Sequence, residues 1–545
     1  MALTTRPASL TIAIALLLTL TGCEQKSQSQ TTAPPNTQKG DWYAGDLHVH
    51  TAVSADARDE ATKVLDLAFG ELGLDYVFLS NHMRDNSQDH QDNNVGKQLY
   101  HQALLTYEMP ELAYLQANMY PDKSLNTTFE WDMPGHEHYN IAILGDTEQA
   151  EKVFDAIKLF EYQFSYKNTV DQFDPSDVAK WNQQGIKRYN GSTHTDRAGK
   201  HSDAIKALKW LQDNHKNNSY GMLNHPRRYV KSYTIQEIRD LNNAAPDVFF
   251  LLEGMVGGQF NKERGSYEIT KGETYSAGTL GGVDPMVGKL GGWWDSLLGE
   301  GRKIWNIANS DHHFKIRNTY TSSYYPGEYA KNYTFAKSKT TMDLYRGLKA
   351  GQSFGVYGDL IDALEFTLKS NGKTTVMGGE LNVKAGDQVT VTVRYKSPDF
   401  NNREVNAGDE MFGIGLNPGV HHIDLIAGQV TGLIQPTDPN YGNTTNPTTK
   451  VIKSFTEEDW QLDSEGYYAM TYQFTAQANE YYRLRGTNLD YNVEGATVNG
   501  EPQITQAVIK KDNESNQDYF NRLTDRFYDD LWFYSNPIFL TTRKS

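Results

Sequence analysis

Short apolar runs that end in polar clusters recur along the first two-thirds of the chain. Gly45-Asp46-Leu47-His48-Val49-His50-Thr51 alternates apolar and polar positions, which predicts a strand with both histidines leaving the same face. Asp75 to Ser80 reads as a buried strand that delivers Asn81-His82. Between them, Val64, Leu67, Ala68 and Leu72 recur at helical spacing over Glu60 to Leu72, and Gly73 can close the helix. The result is a strand–helix–strand unit with its polar residues at the strand ends, where ligands gather in parallel sheets and barrels.

The pattern continues. Asn126 to Trp131 predicts a strand carrying Glu130. Pro134-Gly135 then turns the chain into His136-Glu137-His138-Tyr139-Asn140 and the apolar Ile141 to Leu144, a hairpin rather than a crossover. Residues 147–215 read as helix and loop, and include His194 and Arg197. Tyr220 to Leu223 runs into Asn224-His225-Pro226-Arg227-Arg228, and Val248 to Leu252 into Glu253. Ile304 to Ala308 runs into Asn309-Ser310-Asp311-His312-His313. From Ala363 onward the period becomes two, as in Leu364 to Leu368 and Val389 to Tyr395, with turn signals at Asn371-Gly372 and Gly378-Gly379. That region predicts an antiparallel β-sandwich-like domain.

The N-terminus has a different character. Arg6 precedes an apolar run from Leu10 to Leu20, too short to span a bilayer as a mature helix. The run ends in Leu20-Thr21-Gly22-Cys23, which resembles the bacterial lipobox. Cys23 is the only cysteine, so no internal disulfide can form. The expected organisation is a signal peptide over 1–22, a lipidated Cys23 opening a Gln/Ser/Thr/Pro tether over 23–40, a catalytic domain over 41–356 and the β domain over 357–545. The expected location is the bacterial envelope. Glu24 stands at the position where Asp is associated with inner-membrane retention, which favours the outer membrane.

Net charge is −16, which argues against nucleic acid as a partner and leaves room for a small anionic substrate held by metal ions. Six strands carry or end in His, Glu or Asp. Buried clusters of that kind repel or desolvate one another unless a cation holds them. His nitrogens mixed with carboxylate oxygens suit Zn2+, Mn2+ or Fe2+. There is no Gly-x-Ser-x-Gly elbow and no spare cysteine to act as a nucleophile.

Taken in order, Gly-Asp-Leu-His-Val-His, Ser-Asn-His, Glu-Trp-Asp-Met-Pro-Gly-His-Glu-His, Asn-His-Pro-Arg and Ser-Asp-His-His resemble the PHP (polymerase and histidinol phosphatase) metallohydrolases. They are most similar to the secreted or lipoprotein branch that includes carbaryl-hydrolase-like proteins. The resemblance spans Asp41 to about Val356. It implies a distorted (β/α)7 barrel with two or three divalent metals at the strand ends. His48 and His50 would share one metal with Glu130 and Asp311, the acids being able to bridge. Asp56 and His82 would serve a neighbouring metal, and His138, His225 and His313 the remaining positions. His136 is a second candidate beside His138, and Glu253 a further possible ligand. Asn81 stands where many members carry Asp. The loop to Asp56 is one residue longer than usual, so Asp59 is the alternative ligand.

The implied activity is phosphoester hydrolysis by a hydroxide bridging the metals, with small diesters ahead of monoesters. Arg227 could clamp phosphate oxygens, Arg228 less so, and His194 could protonate the leaving group. Carbamate or carboxyl-ester hydrolysis at the same metals is the alternative chemistry. A surface-anchored binding protein with an inactive barrel is the alternative without catalysis.

Overall fold

Strand β1 (Asp41–Val49) pairs in parallel with β2 (Tyr76–Leu79), and β2 in parallel with β3 (Ser124–Thr127). These pairings belong to a computed structural model of the protein. It describes residues 39–145, 147–257, 259–260, 262–267, 278–313, 322–406 and 411–543. The expected signal peptide, Cys23 and nearly all of the tether lie outside the described residues.

A second, five-stranded sheet holds β4 (Phe129–Asp132), β5 (His138–Ile143), β6 (Ser219–Leu223), β7 (Phe249–Val256) and β8 (Trp305–Asn309), in the order β8-β7-β6-β5-β4. Every residue of β6, β7 and β8 is buried, as expected of strands covered on both faces. The helices among these strands include α1 (Ala61–Asp66), α2 (Met109–Asn118), α3 (Ala150–Phe164), α4 (Arg197–His215), α5 (Ile235–Ala244) and α6 (Trp293–Gly299). The helix expected over Glu60 to Leu72 is α1 running on into a π-helical turn, Leu67–Glu71.

The pairings describe a mixed α/β fold with several sheets, and they do not establish the expected distorted (β/α)7 barrel. β5 runs antiparallel to both β4 and β6. The link from Met133 to Glu137 is too short to hold the helix that a parallel crossover needs, so the hairpin read from Pro134-Gly135 is what forms. The two sheets meet at their ends through isolated bridges, Val49 with His312 and His82 with Glu130, both parallel. His50 N donates to His312 O at 2.8 Å, and Met83 N donates to Glu130 O at 2.7 Å. These bridges draw the polar ends of β1, β2, β4 and β8 together.

The first sheet does not end with the N-terminal region. β9 (Ala330–Ala336) pairs antiparallel with β1, and β10 (Ser353–Tyr357) with β9. α7 (Thr341–Lys349) connects them. In the C-terminal region, β11 (Ala363–Ser370), β12 (Lys373–Val376), β14 (Gln388–Lys396), β17 (Gln461–Leu462) and β18 (Tyr468–Thr475) form an antiparallel sheet of their own. The alternating burial of β11 and β14 is what the period-two pattern predicts. Six further C-terminal strands, β13 (Glu380–Lys384), β15 (His422–Gln429), β16 (Lys450–Phe455), β19 (Glu480–Thr487), β20 (Trp532–Ser535) and β21 (Ile538–Arg543), extend the first sheet. β20 pairs directly with β10, so the 356/357 division falls inside a strand bonded to C-terminal residues. Thr37–Ser545 forms one compact unit. Among the described residues, no helix is long and apolar enough to cross a membrane.

Candidate metal centre

β1 and the residue just after it place Asp46, His48 and His50 on one face, and all three are buried. Each imidazole is oriented from behind. His48 Nδ1 lies 2.9 Å from Glu253 Oε1, and His50 Nδ1 lies 3.2 Å from Ser54 Oγ. When those nitrogens carry the protons, both Nε2 atoms present lone pairs, and they face each other at 3.1 Å. Around them stand Glu130 Oε1, 3.3 Å from His48 Nε2, Glu130 Oε2, 3.2 Å from His50 Nε2, and Asp311 Oδ1, 3.2 Å from His48 Nε2.

Glu130, on β4, is the hub. Its Oε1 also lies 3.0 Å from His138 Nδ1 and 3.7 Å from His225 Nε2, and its Oε2 lies 3.2 Å from His82 Nε2. Asn224 Nδ2 donates to Oε1 at 2.7 Å and fixes the carboxylate. His82 Nε2 meets Asp56 Oδ2 at 3.0 Å, and His313 stacks on His50 with ring centroids 4.1 Å apart. His50, Asp56, His82 and His313 thus form one possible ligand group, His48, His50 and Glu130 a second, and Glu130, His138 and His225 a third. Within each group the ligand atoms lie within 4.8 Å of one another.

The electrostatics follow from this crowding. Burial, the largest influence, pushes the Glu130 carboxyl up, yet His138, His82 and His48 together hold it well below the usual carboxylate range. Burial lowers His50 well below the ordinary imidazole value, and the neighbouring His313 adds to it. His138 goes the other way: burial opposes its charge, but Glu130 and Asp132 raise it to about 10.

The residues fit divalent cations. Glu130 Oε2, Asp311 Oδ1 and both ring nitrogens of His225 are buried without a hydrogen-bond partner. Buried polar atoms left this way are costly, and divalent cations among them would satisfy Glu130 Oε2, Asp311 Oδ1 and one nitrogen of His225. His225 and Asp311 also adopt positive φ, 26° and 51°, a conformation uncommon for residues with side chains. Strain of this kind persists where the surroundings hold it and clusters at functional sites.

The nine principal ligand candidates therefore converge: His48, His50, Asp56, His82, Glu130, His138, His225, Asp311 and His313. Asp59, the alternative to Asp56, instead meets His312 Nε2 at 3.2 Å. Glu253 stands behind His48, and its Oε2 accepts from His225 N at 3.2 Å. His136 turns away from the hub to His201, 2.8 Å from Nε2 to Nδ1. His194 lies beside Asp203, Nε2 to Oδ2 3.4 Å, and the Arg227 guanidinium stacks over Trp293 at 4.5 Å; neither joins the converging groups. Arg228 does touch the ligand set, donating to Asp311 Oδ2 at 2.7 Å.

The sequence reading missed several participants. Asp46 Oδ1 accepts from His48 N, and its Oδ2 from Ser310 N, both at 2.9 Å, tying β1 to the Asp311 loop. Asp132 sits 3.4 Å from His138 Nε2, and Arg84 reaches His82 Nδ1 at 2.7 Å and Asp132 Oδ1 at 3.1 Å. Asp46 and Asp132 lie inside the motifs Gly-Asp-Leu-His-Val-His and Glu-Trp-Asp-Met-Pro-Gly-His-Glu-His, beside the residues that carry the ligand pattern. Arg84 carried only its place two residues beyond His82. Asn81 in place of Asp has a local cause. Its Nδ2 donates to Glu108 Oε2 at 2.7 Å while its Oδ1 accepts from Thr51 N at 2.8 Å. An aspartate there would face a second buried carboxylate.

No protein-family model matches this chain, and no curated protein matches it in sequence. Among solved structures it is similar to a two-domain protein containing a predicted PHP-like metal-dependent phosphoesterase from Bacteroides vulgatus. That similarity has 10% sequence identity and a TM-score of 0.33, over 85% of this chain and 95% of that one.

Proposed function

We propose that the chain is a metal-dependent phosphoesterase of the PHP type. The observation that carries this reading is the pair of oriented imidazoles at the end of β1, with Nε2 atoms 3.1 Å apart, ringed by the carboxylates of Glu130 and Asp311. Divalent ions held there would supply Lewis acidity toward a phosphoryl oxygen and an activated water. The donor set suits Zn2+, Mn2+ or Fe2+, and the three overlapping groups accommodate two or three ions. Kinship with the carbaryl-hydrolase-like branch rests on the sequence motifs alone.

The chain's own residues take distinct parts. Glu253 and Ser54 hold the His48 and His50 rings in one tautomer, and Asn224 and Arg228 fix the carboxylates of Glu130 and Asp311. Asp56, with a side chain 42% exposed, His138 at 24% and Arg84 at 23% form the side of the cluster open to solvent. A phosphate ester entering from that side meets the Arg84 guanidinium, which suits an anion. The reading includes envelope anchoring through lipidated Cys23. Cys23→Ser should leave the protein soluble after cell fractionation.

The test is turnover by chelated protein reloaded with Mn2+, Zn2+ or Fe2+, using bis-p-nitrophenyl phosphate, p-nitrophenyl phosphate and an aryl carbamate. Metal-dependent release from a phosphate ester is expected, with the diester faster. Release from the carbamate alone would replace the ester class. No release from any substrate by fully loaded protein would leave the binding-protein reading.

A further inference from the structure

A second histidine pair lies apart from the Glu130 hub. His136, in the turn between β4 and β5, directs Nε2 at Nδ1 of His201 on α4, 2.8 Å away. The outer nitrogens of both rings face oxygen acceptors. His136 Nδ1 lies 2.9 Å from the Ser232 carbonyl oxygen, and His201 Nε2 lies 3.5 Å from Asp240 Oδ2 on α5. With the His136 proton on Nδ1, toward the Ser232 carbonyl that also accepts from Arg197 Nη2, its Nε2 is a lone pair; Arg197 Nη2 lies 3.3 Å from the same Nδ1. His201 Nε2 is buried without a hydrogen-bond partner and faces the Asp240 carboxylate. His201 Nδ1–H can donate to the His136 Nε2 lone pair across the 2.8 Å, and a divalent cation bound by both nitrogens would take the place of this proton.

The surroundings are built to hold both rings still. His136 stacks on Tyr233 with parallel planes and centroids 4.9 Å apart. Tyr441 Oη donates to Asp240 Oδ1 at 2.6 Å. Glu237, on α5, offers a carboxylate oxygen within 4.8 Å of a nitrogen of each ring, and it is anchored by Arg197 and by the Thr234 cap. An orienting carboxylate behind a ligating histidine is the usual support of a bound transition metal.

We infer that His136 and His201, with Glu237 as third ligand and Asp240 orienting His201, form an additional divalent-cation site, with Zn2+ the best-matched ion. Two imidazoles and one carboxylate suit that ion. The site would tie together three segments: the turn that leads into His138, the start of α4, and α5, which follows the loop carrying His225 and Arg228. Its expected role is to brace those two loops, and it does not rest on the phosphoesterase reading.

The test counts ions on the full chain. Wild-type protein, His201→Gln, His136→Gln and a hub variant, His50→Ala/His225→Ala, are chelated, reloaded with Zn2+, desalted and measured by elemental analysis. Circular dichroism checks the fold of each. His201→Gln and His136→Gln are each expected to bind one equivalent fewer than wild type. Zn2+ should still raise the Tm of the hub variant, and adding His201→Gln to it should abolish that rise. Equal zinc content in wild type and whichever single variant folds, or a Zn2+ stabilisation of the hub variant that survives His201→Gln, would overturn the assignment. Loss of hub zinc alone would tell against the phosphoesterase centre and leave this site standing.

Discussion

Arg228 donates to Asp311 Oδ2 at 2.7 Å and thereby turns Oδ1 toward His48 Nε2, 3.2 Å away. Both side chains are buried, so this pairing decides where Asp311 points. Arg228→Met should lower metal affinity and turnover by about 10–100-fold, the usual effect of losing a group that orients a ligand. Metal titration against a fluorescent chelator, alongside kcat, measures it. Unchanged affinity would show that Asp311 holds its orientation without the guanidinium.

Glu253 stands behind His48 in a similar relation. Glu253→Gln keeps an oxygen that can accept from His48 Nδ1, whereas Glu253→Ala removes it. The alanine variant should lose about 10–100-fold in metal affinity and the glutamine variant clearly less. Equal losses would mean that charge, not orientation, is what Glu253 supplies.

Glu108 gives a pH prediction outside the ligand set. Burial raises its carboxyl to about 7, against the hydrogen bonds from Asn81 and Thr127 that favour the ionised form. The folded-state value lies above the unfolded one. Its contribution to stability is therefore fully present below about pH 4.5 and is lost as pH rises through about 7. Glu108→Gln lacks that ionisation. In urea unfolding, the variant should gain on wild type between pH 5 and pH 8, by up to about 3 kcal/mol. The same difference at both pH values would contradict it.

Arg483 on β19 grips Asp295 on α6 with two hydrogen bonds of 2.8 Å, and both side chains are 1% exposed. Asp295→Ala strands a buried guanidinium and should cost about 3–5 kcal/mol in chemical denaturation. The double variant Asp295→Leu/Arg483→Met should recover much of that loss, because neither charge is then left unpaired. A double variant as unstable as the single one would count against the pairing.

β10 links with β20 through Phe354–Ser535, Gly355–Tyr534 and Val356–Phe533. A chain ending at residue 356 would leave that edge and its buried face open. It should express as aggregate or as protein with poor near-ultraviolet circular dichroism. A soluble, cooperatively unfolding 41–356 fragment would show that the C-terminal strands are dispensable to the first sheet.

The sequence by itself determined the candidate ligands and the strands that carry them or end in them. Alternation put His48 and His50 on one face because side chains in a strand repeat every two residues. Apolar runs ending in Asn81-His82, Asn224-His225 and Ser310-Asp311 marked where β2, β6 and β8 stop. Tertiary structure alone decided which of these ends meet. Glu130 becomes the hub through a bridge from β4 to His82, just past β2, that no local pattern encodes. His136 and His138 are separated because neighbouring residues of a turn and a strand can point to different sides. Arg228 and Glu253 gained their parts from distances across the fold. The continuity of β10 with β20 was also hidden, since a period-two pattern reveals a strand's faces and says nothing of which edge it will share.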